Sequence, residues 1–176
     1  KFSATNADRM LFQARLASAY GEAGNFAGAM ELFARILSQA NNQVALQIEA
    51  ATTLQHWGDA GNQAAYLKAI TGDRPDPQTR RNLIWGYGRI AKATAGRAAF
   101  DEIFFNSRLQ VANCRYQYGL QQSAAQRRET LQQAEQDVLL TAKLYPRLRE
   151  LPIRSQYQQL LRDIQRTLGK TLTELP

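Results

Sequence analysis

The chain has 176 residues and a formal net charge of +7, long enough for one domain with a sizeable core or for a short stack of repeats. Valine occurs only at Val44, Val111 and Val138, while alanine, leucine, glutamine and arginine dominate, so strong strand formers are scarce and an all-α protein is expected. A single cysteine, Cys114, excludes an internal disulfide and any multi-cysteine metal site, and no apolar run approaches the roughly 20 residues of a membrane span.

The first ten residues, KFSATNADRM, contain no signal-peptide core, and position 1 is not methionine. The expectation is a piece of a longer protein, cytoplasmic or periplasmic, with its localisation left open because any targeting segment would fall outside the piece. The next stretch, LASAYGEAGNFAGAMELFARIL, predicts two helices joined by a tight turn. Ala17 and Ala29 are small where the helices touch, Tyr20, Phe26 and Phe33 fill the space around that contact, and Gly24-Asn25 forms the turn. Thirty-four residues on, the pattern returns, with Ala51 for Ala17, Leu54 for Tyr20, Gly58-Asp59 for Gly24-Asn25, Leu67 for Phe33 and Ile70 for Ile36. Pro75 then closes the second unit.

A third unit is expected at DPQTRRNL, where Asp76 caps a helix and Pro77 takes its first position. Within NLIWGYGRIA, Leu83, Ile84, Tyr87, Ile90, Ala91 and Thr94 share one helical face. Gly86-x-Gly88-x-x-Ala91 spells a dinucleotide fingerprint, but that motif needs a strand, a turn and a helix in sequence, so a helix here removes it and no cofactor is expected. The glycines are instead read as points of close approach by a neighbouring helix. Ala98 to Gln122 forms one long amphipathic pattern with Ile103, Phe104, Ser107, Val111, Cys114 and Tyr118 on one side. A connection through SAAQRRET leads to Leu131, Ala134, Val138 and Pro146, and a last helix carries Ile153, Tyr157, Leu160, Leu161, Ile164 and Leu168 as its apolar stripe.

The pattern of Leu16, Ala17, Tyr20, Gly24, Phe26, Ala29 and Phe33 closely resembles the tetratricopeptide repeat (TPR). The resemblance is carried by Leu11 to Pro75, extends to Gly96 and thins beyond it, where the chain is similar to the C-terminal part of bacterial TPR-containing proteins. It implies a right-handed solenoid of antiparallel helix pairs, about eight helices in all, as one repeat domain over 1–176. Two units would occupy 1–75, degenerate units with longer irregular helices 76–146, and a capping helix 147–176.

Chemistry for catalysis is sparse. His56 is the only histidine and reads as a helix-end residue, Cys114 reads as a small core residue, and carboxylate pairs such as Asp101-Glu102 and Glu135-Asp137 read as solvated helix charges. No enzyme and no metal site is expected. The resemblance implies instead a protein or peptide partner, held in a concave groove lined by the first helix of each pair. Carried across residue by residue, that groove includes Ala14, Ser18 and Glu22, then Ile48, Thr52 and Gln55, then Asn82, Gly86 and Arg89, with ordinary packing the favoured role for Ala14 and Ile48. Only Asn82 and Arg89 match the lysine, arginine and asparagine with which TPR domains hold chaperone tails, so that ligand class is not expected. Arg81, Asn82, Trp85, Arg89 and Lys92 form an expected second contact face for an acidic segment, with packing against the next unit the equal alternative for Trp85. Seventeen of the basic residues and ten of the acidic ones lie from Asp73 onward, so the whole positive excess is there. Binding of an anionic polymer such as nucleic acid by that half is the alternative reading.

Overall fold

Eight α-helices make up most of the computed structural model, which describes residues 6–40, 42–76 and 79–176, and a two-stranded hairpin is the only sheet among the described residues. The fold is all-α, as the composition requires. Two compact units divide the chain, Lys1–Gly86 and Tyr87–Pro176.

The first unit opens with two helical hairpins. Helix α1 (Asn6–Glu22) turns into α2 (Phe26–Gln39), and α3 (Val44–Asp59) turns into α4 (Gln63–Thr71); α1 packs on both α2 and α3, and α2 also packs on α3. Both turns close in the same way. Gly24 has φ 78°, its N–H donates to the Gly21 carbonyl, and the Asn25 N–H donates to the Tyr20 carbonyl. Gly61 has φ 104° and repeats this with Gly58, while Asn62 donates to Trp57. This is the Schellman closure, which needs a left-handed residue just past the helix and so selects glycine. Asn25 also caps α2, its Oδ1 accepting the Gly28 N–H at 3.1 Å.

The two closures are 37 residues apart, which corrects the expected spacing of 34 and the expected turn at Gly58-Asp59. Gly58 lies inside α3, where an added Cβ would come within 2.6 Å of the Tyr66 ring. Tyr66 is buried on that glycine and its hydroxyl donates to Asp59 Oδ1 at 2.7 Å. The longer spacing accounts for the burial pattern. Leu54 corresponds to Ala17, both fully buried, and Ile70 to Phe33, whereas Leu67, expected to match Phe33, is 41% exposed. Tyr20 is also 38% exposed rather than filling the contact, and the aromatic contact beside the turn is made by Phe26 stacked on Trp57, with centroids 6.0 Å apart. Ala17 and Ala29 are fully buried, as expected where helices touch.

After α4 the chain forms an antiparallel hairpin of β1 (Asp73–Pro75) and β2 (Asn82–Ile84), in which Asp73 pairs with Ile84 and Pro75 with Asn82. The helix expected to start at Asp76 is therefore corrected. Asp76 Oδ1 does accept the N–H three residues on, at Thr79, over 2.7 Å. The same side-chain chemistry serves helix caps and tight turns, and here it closes the hairpin loop. Pro77, expected at the first helical position, lies outside the described residues. Lys68 pairs with Asp73 at 3.3 Å, and Arg74, at φ 59°, pairs with Glu31.

The second unit contains α5 (Tyr87–Thr94), α6 (Asp101–Leu120), α7 (Ala124–Leu144) and α8 (Arg154–Leu168), with short 3-10 turns at Ala98–Phe100 and Pro146–Glu150. Helix α6 is central: α5, α7 and α8 all pack on it, so Phe104, Phe105, Leu109, Val111, Ala112 and Cys114 are buried from more than one side. Phe104 and Phe105 meet Tyr145 edge-on, with centroids 4.7 and 6.2 Å away. SAAQRRET, expected as a long connection, is mostly the first two turns of α7; the connection itself is Gln121–Ser123. Helix α8 presents the expected stripe, with Tyr157, Leu160, Leu161 and Ile164 buried and Ile153 and Leu168 packed at its ends. The Tyr157 hydroxyl donates to the Phe105 carbonyl at 2.6 Å, and burial pushes its pKa above the ordinary phenol range.

Candidate functional site

The first helices of the two hairpins, α1 and α3, lie side by side, and their shared polar face contains the first two sets of expected groove residues. Ser18 Oγ donates to Glu49 Oε2 at 3.0 Å and ties the helices together there. Thr52 and Gln55 are half-buried on α3 and Glu22 is exposed at the end of α1. Ala14 is buried, so of the apolar residues expected to line this face it belongs to the core, while Ile48 is half-buried. Counted back from the turns, the partner of Ser18 is Gln55 rather than Thr52, because the repeat spacing is 37. The resulting surface offers a hydroxyl, an amide and carboxylates, a set suited to main-chain N–H and C=O groups of a ligand.

The face expected over Arg81 to Lys92 is not a helix face. Arg81 is exposed where the hairpin loop meets β2, and Asn82 is in β2, where its Nδ2 donates to the Thr71 carbonyl at 3.0 Å. Trp85 is only 9% exposed and belongs to the core of the first unit. Arg89 and Lys92 are on α5, in the second unit. The spacing that put these five on one side was helical, and β2 with the two residues after it breaks that period.

A strand, then Gly86, then a helix does occur here, yet the glycine serves packing. A Cβ on Gly86 would overlap the carbonyl of Ile70 and the backbone nitrogen of Gly72. The backbone at the end of α4 fills the space beside this glycine, and β2 pairs antiparallel rather than in the parallel βαβ unit that the fingerprint requires. The close approach expected at this glycine is therefore present, made by main chain rather than by a helix side.

Gln47 was not anticipated. It is fully buried on α3, and its Nε2 donates to the Leu83 carbonyl at 3.1 Å while its Oε1 accepts the Trp85 N–H at 2.6 Å. One side-chain amide thus takes the place of a neighbouring strand along β2. The sequence signal was a polar residue on the stripe of Ala50, Ala51 and Leu54, which a buried position tolerates only when its hydrogen bonds are made.

In the second unit an open groove of about 460 Å³ runs between α6 and α8 over Leu109 and Leu160, bordered by Gln110, Asn113, Gln159 and Asp163. Several cations of this unit are paired with acids: Arg147 with Asp101 at 2.6 Å, Arg162 with Glu174 at 2.6 Å, Lys170 with Glu135 at 2.5 Å, and Arg115 with Asp137. Burial raises the Asp137 pKa above the carboxylate range, against the lowering effect of Arg115 and Arg108. His56 is exposed in the last turn of α3, and Cys114 is buried and forms no disulfide. Among the described residues no three histidine, cysteine or acidic side chains come together as a metal-binding group, and no helix is long and apolar enough to cross a membrane.

The class this geometry defines is an all-α protein whose first unit is built from two like helical hairpins. No protein-family model, curated protein sequence or solved structure matches the chain.

Proposed function

We propose that the protein is a non-catalytic, TPR-like scaffold that binds a peptide or protein partner on the face formed by α1 and α3. The observation that carries this reading is the repetition of one hairpin closure at Gly24-Asn25 and Gly61-Asn62, with the first helices of the two hairpins packed together. Repeated hairpins stacked in this way present equivalent positions side by side, and such surfaces suit extended ligands. Ser18, Glu22, Thr52 and Gln55 supply the polar contacts. Binding of nucleic acid by the basic half is the second reading: its positive excess favours an anionic polymer, while the pairing of Arg115, Arg147, Arg162, Arg166 and Lys170 with acids breaks up the cationic surface.

A photo-crosslinking amino acid placed at Gln55 of the full chain, in its own host, tests the proposal. A protein adduct at position 55 that is absent with the same group at Glu102 is the expected result. Adducts at Glu102 alone, or RNA adducts at both positions, would overturn it.

A further inference from the structure

After α8 the chain reverses and runs back along the helix as an extended segment, and its seat has the chemistry of a peptide-binding site. Gly169 closes α8 with the same Schellman pattern as Gly24, its N–H donating to Arg166 and that of Lys170 to Gln165. The tail is then held through its main chain. Gln158 Nε2 donates to the Thr173 carbonyl at 3.0 Å and its Oε1 accepts the Leu175 N–H at 2.8 Å. Gln165 Oε1 accepts the Thr173 N–H at 2.9 Å, and its Nε2 donates to Thr173 Oγ1 at 2.8 Å and to Glu135 Oε1 on α7 at 3.3 Å. Arg154 donates to the Leu175 carbonyl at 3.2 Å. Side-chain selection is added at three points: Thr173 by Gln165, Glu174 by Arg162, and Leu175 by burial in the core of the unit.

Gln158 grips the carbonyl of one residue and the N–H of the residue two further on, as Gln47 does with Leu83 and Trp85. A side-chain amide used in this way reads any extended backbone, as an added strand would. Specificity comes from the hydroxyl, the acid and the leucine. We propose that this face of α8 is a receptor for an extended hydroxyl–acid–leucine segment of a partner protein, occupied in cis by Thr173-Glu174-Leu175 and opened by displacement of that tail. The site is independent of the α1–α3 face, which is on the other unit. The tethered tail competes at an effective concentration of the order of millimolar, so a partner segment binds well only when the tail is weakened or the partner is itself concentrated at the site.

The test uses the full chain carrying Leu175→Ala and a fluorescein-labelled peptide of residues 170–176, followed by anisotropy. The expected result is saturable binding, about tenfold or more tighter than to the unaltered chain. It should be lost when the leucine of the peptide is replaced by alanine, and lost again when Gln158→Ala is added to the receptor. Thr173→Pro in the full chain is the second receptor, since it deletes the N–H held by Gln165 and leaves the leucine and every residue of α8 in place. No saturable binding to either receptor would overturn the proposal, as would binding indifferent to Gln158→Ala. A dimer of the unaltered chain, detected by light scattering and dissolved by Leu175→Ala, would overturn it too, by giving the seat to the tail of a second copy.

Discussion

Replacing Gln47 by alanine isolates what holds the β1–β2 hairpin to the helices. The amide satisfies one buried N–H, at Trp85, and one part-buried carbonyl, at Leu83. Leaving a buried polar group without a partner costs about 1–3 kcal/mol, so the Trp85 N–H alone sets a loss of about that size and the part-buried carbonyl adds less, against the roughly 5–15 kcal/mol that stabilises a typical domain. Gln47→Glu has nearly the same shape and separates the two bonds. Its carboxylate still accepts from Trp85 but faces the Leu83 carbonyl with an acceptor, so the variant should be nearly as unstable at neutral pH and should recover as acid protonates the new carboxyl. Urea unfolding followed by circular dichroism gives the magnitudes, and amide exchange at Trp85 reports the local opening. A Gln47→Ala loss below about 0.5 kcal/mol, with exchange at Trp85 unchanged, would refute the claim that this amide anchors the hairpin.

Gly58→Ala should lower the melting temperature despite the better helix propensity of alanine, and Gly86→Ala, which lies outside the helices, should lower it more, because its Cβ meets main chain at Ile70 rather than the Tyr66 ring. A Gly86→Ala protein as stable as the parent would remove the close approach assigned there. The raised pKa of Asp137 predicts a pH dependence. A carboxyl whose folded pKa is raised holds its proton more tightly in the folded state, so its stabilising contribution is complete below the ordinary carboxylate range and is lost as pH rises through the raised value. Asp137→Asn should therefore gain stability relative to the parent as pH rises from the ordinary carboxylate range; if it loses ground instead, the ion pair with Arg115 outweighs burial.

The helical class and the two hairpins were legible because alanine at Ala17 and Ala29 and glycine before asparagine at Gly24 each have a local physical cause. The spacing was misread because the second hairpin offers two glycines, Gly58 and Gly61, and the turn is distinguished by the sign of φ at Gly61 while Gly58 makes room for the Tyr66 ring. The hairpin after α4 was missed because Asp76 makes the hydrogen bond of a helix cap, and because strands of three residues leave no alternating pattern to read. Gln158 and Gln165 were not singled out, because what they bind is main chain that folds back along α8, and nothing in a helical pattern marks a residue for that contact. Ser18 and Gln55 could be placed on one face from the repeat pattern alone; the bond from Ser18 to Glu49 could not, because it depends on how α1 and α3 are set against each other.

The central claim is that the α1–α3 face binds a peptide, and selection from a random peptide display library against the full chain tests it most directly. The account predicts an enriched family of extended peptides whose binding is abolished by Ser18→Arg with Gln55→Arg, both on polar positions that leave the core intact, and is unaffected by Leu175→Ala. Enriched peptides that bind the double variant as well as the parent would place recognition elsewhere and contradict it.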